Sequence, residues 1–262
     1  MISGTEDNDV RELTHEPRFE QGSVDGEIVL FIHGFMGTPR QFDNLVDAVR
    51  LQGYSCASLL LPGHGGSVKE FSKTKYTSWQ EHVDSEVKRL SETYSKIWIV
   101  GHSMGGLLAL NASIKFPEHI CGIFPIACPL KIVYVSAHAF RINFKKFFRK
   151  KSNPIRVAYI KFSSIPRNFS LLWYIHKPDF EFLKLQSKTR KILPQVTSPI
   201  MAVFSIKDEV TSIKSLDVMR SELKNCDFKT VILQDSLHAH YPKHEQATVE
   251  RALLEFIGGS DT

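Results

Sequence analysis

The stretch Lys96-Ile97-Trp98-Ile99-Val100-Gly101-His102-Ser103-Met104-Gly105-Gly106 constrains this chain more than any other. A short apolar run rich in β-forming residues ends in Gly-x-Ser-x-Gly, and a helix-like run over 107–116 follows at once. Strand, sharp turn and helix in that order are the setting of a nucleophile elbow, where a strained turn lifts a serine hydroxyl out of the sheet. Gly101 and Gly105 flank the serine where a β-carbon would meet neighbouring backbone. The helix that starts there aims unpaired N–H groups and the positive end of its dipole at the same point. The pattern alone arises by chance; between this strand and this helix it makes Ser103 the candidate nucleophile.

Further apolar runs read as buried strands at 28–32, 55–61, 97–100, 120–126, 200–204 and 230–233. Helical spacing lies between most of them. Residues 39–51 open with proline and carry Phe42, Leu45, Val46 and Val49 on one face. Ser78 with Glu81 reads as a capping box ahead of Trp79, Val83, Val87 and Leu90. Pro117 ends the helix after Ser103; Ile213, Leu216, Met219 and Leu223 form another stripe, and Val249, Ala252, Leu253 and Phe256 the last. Strands alternating with helices predict an α/β fold with a doubly covered, mostly parallel β-sheet.

The alternation breaks in the middle of the chain. Between 129 and 190 there are fourteen Lys or Arg against two acids, Asp179 and Glu181, so this stretch carries +12 and leaves −7 for the rest of a chain of net charge +5. A long stretch without clear strands reads as a helical cap inserted over the strand ends. The expected division is 18–128 and 196–258 for the two parts of one core, with 129–195 as the cap. A chain of 262 residues with 42% hydrophobic content has enough apolar surface for one such core and an insertion.

Composition excludes several classes. Residues 1–17 lack the basic and apolar regions of a signal peptide and read as a polar tail. The longest apolar run, 120–135, is interrupted by Pro125, Pro129 and Lys131 and is too short to span a bilayer. Cys56, Cys121, Cys128 and Cys226 have no paired spacing, which fits reduced thiols and a cytoplasmic protein. Gly63-His64-Gly65-Gly66-Ser67 lacks the lysine and spacing of a phosphate loop. The His238, His240 and His244 run has no partner residues to complete a metal site. No nucleic-acid motif accompanies the basic charge.

A serine hydroxyl needs a general base, and the base an orienting acid. In a parallel sheet these groups stand in loops beyond the carboxyl ends of strands. Ser205-Ile206-Lys207-Asp208-Glu209 follows one strand, and Gln234-Asp235-Ser236-Leu237-His238-Ala239-His240 follows the next. The chain order Ser103, Asp208, His238 suits this architecture. His238 is the favoured base over His240 and His244, which read as surface histidines. Asp208 is the favoured acid; Glu209 lies one position further from the strand end, and Asp235 sits too close to His238 to reach behind its ring. Acyl transfer also needs two backbone donors for the oxyanion. Met104, after the nucleophile, supplies one, and Phe35 in His33-Gly34-Phe35-Met36-Gly37 the other, with both side chains expected to line the acyl pocket. The His33 ring is expected to bond backbone and hold that loop.

These residues carry a resemblance. Phe31-Ile32-His33-Gly34-Phe35, Pro62-Gly63-His64-Gly65, Gly101-His102-Ser103-Met104-Gly105-Gly106, Lys207-Asp208-Glu209-Val210 and Ser236-Leu237-His238 resemble the α/β-hydrolase superfamily. More narrowly they are similar to bacterial-type carboxylesterases and monoacylglycerol lipases, over roughly 27–129 and 199–257. The resemblance implies an ester or acylglycerol substrate, an acyl-enzyme on the serine, no cofactor and a helical cap, with Pro62-Gly63-His64-Gly65 structural. Residues 131–190 match no family pattern. Within them, 138–151 places Phe140, Phe144, Phe147 and Phe148 at helical spacing beside Lys145, Lys146, Arg149 and Lys150. A pocket cover is the favoured reading of that segment over weak contact with an anionic membrane surface. Thioester or carbon–carbon bond hydrolysis, acyl transfer, or a non-catalytic receptor are the alternatives on the same scaffold. Oligomeric state is left open.

Overall fold

The computed structural model describes residues 15–133, 163–165 and 174–259. Seven strands form one sheet: β1 (Arg18–Glu20), β2 (Glu27–Ile32), β3 (Ser55–Leu59), β4 (Lys96–His102), β5 (Ile120–Ile126), β6 (Ile200–Ser205) and β7 (Phe228–Leu233). Their order is β1-β3-β2-β4-β5-β6-β7, parallel throughout except for β1 against β3. The helices are α1 (Asp43–Leu51, after a 3-10 turn at Pro39–Phe42), α2 (Val68–Phe71), α3 (Tyr76–Ser91), α4 (Met104–Lys115), α5 (His176–Ile192), α6 (Lys214–Glu222) and α7 (Lys243–Gly258).

Both faces of the sheet are covered, and β2 shows why its sequence is apolar throughout. Ile28, Leu30 and Ile32 point to one face, which α3, α4, α5 and α6 cover with Val83, Leu107, Leu185 and Met219. Val29 and Phe31 point to the other, covered by α1 and α7 through Val46, Val49, Val249 and Leu253. With period two and both faces dry, each position must be hydrophobic. Each such side chain contributes about 1.5–3 kcal/mol relative to exposure.

The chain leaves β2 for β3 on one side and then returns past it to β4 on the other. The carboxyl ends of β2 and β4 therefore flank a topological switch point, where the outgoing loops diverge and leave a crevice. Residues 33–37 and Ser103 stand there.

Several local expectations change. The strand expected over 55–61 ends at Leu59, and Leu61 N–H donates to His33 Nε2 (3.1 Å) instead of to a strand neighbour. The Ser78–Glu81 capping box does not form, because α3 already starts at Tyr76. Tyr76 N–H is taken by Glu181 Oε2 of α5 (3.2 Å), a tertiary partner that replaces a local cap. The box that does form is Ser67–Glu70, on α2. β1 has three residues, too few for a periodic signal, and pairs at the sheet edge.

The end of the 129–195 stretch is α5, which packs on α4 and α3 with Leu185 fully buried. Asn111 Nδ2 donates to Thr189 Oγ1 (2.7 Å), and Gln186 Nε2 to the Pro129 carbonyl (2.5 Å). This helix therefore lies outside α4 and α3, on the helix layer that covers that face of the sheet. The 138–151 segment and residues 1–14 fall outside the described residues. Among the described residues no helix is long and apolar enough to cross a membrane. All four thiols are free.

Candidate active site

Ser103 joins β4 to α4 with φ 51° and ψ −116°, a region that side-chain-bearing residues seldom enter. The strain is held from both sides. Ser103 N–H donates to the Ile126 carbonyl at the end of β5 (2.8 Å). A β-carbon on Gly105 would lie 1.9 Å from the Ile32 carbonyl oxygen, and one on Gly101 2.5 Å from Gly105 backbone. The two glycines thus let β2, β4 and α4 meet at one point. α4 is apolar nearly all round because it is wedged between sheet and outer helices, which fixes its N-terminus beneath the serine.

Met104 is the first residue of α4, so its N–H belongs to the first-turn donors that have no partner within the helix. Its side chain is fully buried in the core. Phe35 is half-buried, its ring set against Phe71 (5.1 Å), Phe182 (5.6 Å) and Trp79 (6.1 Å). The loop before Phe35 comes close to the serine: a β-carbon on Gly34 would lie 3.1 Å from Ser103 Cβ. The loop carrying Phe35 is held by two histidines. His33 Nε2 accepts from Leu61 N–H, so its proton sits on Nδ1, which donates to the Gly34 carbonyl (2.9 Å). His64 Nε2 likewise accepts from Met36 N–H (3.1 Å) while Nδ1 donates to the Pro62 carbonyl (3.2 Å). Burial holds His33 well below the usual histidine range and takes His64 down to about 4. Both are neutral struts.

The other half of the site comes from the loops after β6 and β7. His238 Nδ1 lies 2.9 Å from Asp208 Oδ2 and 3.1 Å from Oδ1. A carboxylate only accepts, so Nδ1 carries the proton and Nε2 keeps the lone pair of a base. Asp208 Oδ1 also accepts from Val210 N–H (2.8 Å) and Thr211 N–H (2.7 Å). Burial alone would raise the Asp208 pKa, but the His238 contact and these N–H donors outweigh it and hold it below the usual carboxylate range.

Other carboxylates shape the base loop. Glu209 Oε2 accepts from His238 N–H (3.0 Å), and is thereby occupied with backbone. Glu245, buried at the start of α7, accepts from Gln234 N–H (2.5 Å), Asp235 N–H (3.0 Å), Ser236 N–H (2.7 Å) and the Ser236 hydroxyl. Ser205 Oγ donates to the Ser236 carbonyl (2.5 Å), tying the two loops together. Glu245 is a residue the sequence reading missed; its one signal is an acid in the first turn of a helix that follows a loop. Asp235 lies on the surface with Lys207 Nζ (2.7 Å) and His244 Nε2 (3.6 Å), away from the imidazole. Asp235, His244 and Glu245 do bring possible ligand atoms within 4.8 Å of one another, yet Glu245 is already engaged by backbone donors.

Comparison with known proteins decides the family. The model of the hydrolase family described as "Serine aminopeptidase, S33" matches residues 25–173. The chain belongs to this family. Two of the family's relatives align along almost their whole length. The thermostable monoacylglycerol lipase of Bacillus sp. (strain H-257) is 25% identical over 246 residues, covering 92% of this chain and 94% of that protein. The carboxylesterase of Bacillus subtilis (strain 168) is 25% identical over 236 residues, covering 87% and 91%. Among solved structures, one described under the metagenome-derived lipolytic enzymes LipS and LipT superposes with a TM-score of 0.72 at 21% identity, covering 92% of this chain and 96% of that one. This likeness matches the α/β-hydrolase architecture of the sheet and helix layers. The chain is thus a member of a serine hydrolase family with lipases and esterases among its relatives.

Proposed function

We propose that this protein hydrolyses small carboxylic esters, acylglycerols among them, through an acyl-enzyme on Ser103. One observation carries the reading: a serine strained to φ 51° at a strand–helix junction, on the same end of the sheet as a buried carboxylate 2.9 Å from a partly exposed imidazole. His238 Nε2 takes the Ser103 proton as Oγ attacks the ester carbonyl carbon, and the carbonyl electrons move to oxygen. The N–H groups of Phe35 and Met104 receive that oxyanion. Its collapse breaks the carbon–alkoxide bond, and His238 gives its proton to the departing alcohol. Water, deprotonated by His238, then attacks the acyl carbon and releases the acid, returning the proton to Ser103. Asp208 keeps the imidazole in the required tautomer and stabilises its cation. The route needs no cofactor or metal.

We take 18–128 and 196–258 as the two parts of the catalytic core and 129–195 as the inserted segment that covers the site, with α5 its return into the helix layer. Ser164 N–H donates to the Met36 carbonyl (2.9 Å), and the neighbouring Ile165 is buried, so the insertion touches the loop that carries Phe35. That contact supports a pocket cover. The free thiols fit the cytoplasmic reading.

A chain-length series of p-nitrophenyl esters and monoacylglycerols, run beside aminoacyl p-nitroanilides and thioesters, tests the proposal. Esters turned over fastest, with a drop of roughly 10⁴-fold or more in Ser103→Ala, is the expected result. Anilide or thioester turnover well above that of every ester would move the assignment to another acyl bond.

A further inference from the structure

The loop that carries Phe35 and the loop that carries His238 are bridged by two side chains outside the proposed triad. Gly34 N–H donates to Gln41 Oε1 (3.3 Å), Gln41 Nε2 to His102 Nδ1 (3.0 Å), and His102 Nε2 to the His238 carbonyl (2.8 Å). The direction of each bond follows from the one before. A carbonyl only accepts, so the His102 proton sits on Nε2 and Nδ1 offers a lone pair. Gln41 must then present its NH2 to that lone pair, which leaves its amide oxygen for Gly34 N–H. Protonating His102 would set two donors against each other at Nδ1. Burial, then the nearby His238 charge, takes the His102 pKa down to about 3, so the neutral ring persists at ordinary pH.

The glycines of the first loop make room for this line. A β-carbon on Gly37 would lie 2.7 Å from Gln41 Oε1, and one on Gly34 would lie 3.0 Å from His102 Nδ1. His102 is also the last residue of β4, directly before Ser103, and its ring lies 4.9 Å from that of His238.

We propose that Gln41 and His102 are positioning residues: a hydrogen-bonded strut that registers the oxyanion loop and the base loop on the same serine. The proposal rests on the Ser103–His238–Asp208 reading. Neither residue touches the reacting atoms. Their effect is to keep the Phe35 N–H and the His238 imidazole at fixed spacing while the carbonyl becomes tetrahedral, a step in which misplacement of about 1 Å costs on the order of 10²-fold.

The test compares His102→Phe, Gln41→Met, the double variant and His102→Gln on a p-nitrophenyl ester, with thermal unfolding followed in parallel and Ser103→Ala as control. His102→Phe keeps a ring without its hydrogen bonds; His102→Gln keeps one donor for the His238 carbonyl and one acceptor for Gln41. The strut predicts kcat lower by about 10- to 100-fold in His102→Phe and Gln41→Met, with KM within about two-fold. The double variant should be no worse than the weaker single one, because either change breaks the same line. His102→Gln should recover most of kcat. Should His102→Phe fail to fold, Gln41→Met carries the test: Gln41 is half-buried on the wall of a cavity of about 440 Å³, with room for the change. Unchanged kcat in Gln41→Met, losses that multiply in the double variant, or His102→Gln as impaired as His102→Phe would each overturn the strut. If those results came with a dead Ser103→Ala, only the strut would fall. An active Ser103→Ala would remove the triad reading and the strut with it.

Discussion

The two halves of the proposed site are built by different means. On the nucleophile side, geometry is set by backbone contact: β4 turns into α4 at Ser103, and Gly101 and Gly105 let the chain pass within van der Waals distance of β2. On the base side there is no such steric clamp. The loops after β6 and β7 take their shape from side chains that accept backbone N–H groups: Asp208 from Val210 and Thr211, Glu209 from His238, and Glu245 from three successive residues. A sterically specified turn is encoded by a few contiguous residues. A turn specified by hydrogen bonds depends on residues scattered over the last part of the chain.

The comparison breaks first at Asp208. Asp208→Asn keeps the shape of the base side but offers His238 an amide where a carboxylate held the tautomer, and should lower kcat by about 10⁴-fold. A rate near wild type would show that orientation comes from elsewhere, and would move attention to Glu209. On the nucleophile side the largest response should be in folding. Gly105→Ala would drive a β-carbon into the Ile32 carbonyl and should cost at least about 4 kcal/mol, read by urea unfolding or by loss of folded protein on expression. An alanine there that leaves stability unchanged would mean that the elbow is not sterically specified.

This contrast explains what was legible in the chain. The strands at 28–32, 120–126 and 200–204, and the helix after Ser103, could be read because a doubly covered sheet demands unbroken apolar runs. Ser103 could be read because its glycines are adjacent in sequence. Asp208 and His238 were reachable by chain order and strand ends, and the structure brings them into contact. Glu245, Gln41 and His102 were not, since each acts through a partner distant in sequence or a bond direction that spacing does not reveal. The start of α3 was misread for the same reason: its first N–H is capped by Glu181 from α5, not by a local serine.

Acid should sharpen the contrast further. His64 and His102 titrate near 6.5 in the unfolded chain but only at about 4 and about 3 when folded. Below the unfolded value the unfolded chain binds protons that the folded one does not. Stability should therefore fall as pH drops from about 6.5 toward 4, by an amount on the order of a few kcal/mol. Asp208 and Glu245, both held below the usual carboxylate range, add loss in the same direction as pH falls through their folded values. Urea midpoints at about pH 7 and about pH 5 check this; a flat profile would mean that the histidine struts take up protons without strain. The smallest effect belongs to Glu245→Gln, whose amide can present one acceptor oxygen where the carboxylate presents two. It should cost about 1–3 kcal/mol and roughly ten-fold in kcat with KM nearly unchanged. Full stability with full activity would show that the base loop holds itself.

The most direct measurement is fluorophosphonate labelling followed by peptide mapping, on wild type, Ser103→Ala and Asp208→Asn. Labelling needs a serine activated by a correctly oriented base and an oxyanion site. One adduct on Ser103, none in Ser103→Ala and a much slower one in Asp208→Asn is the predicted outcome. An adduct on another residue, or an unlabelled wild-type protein, would contradict the assignment of Ser103, His238 and Asp208 as one catalytic unit.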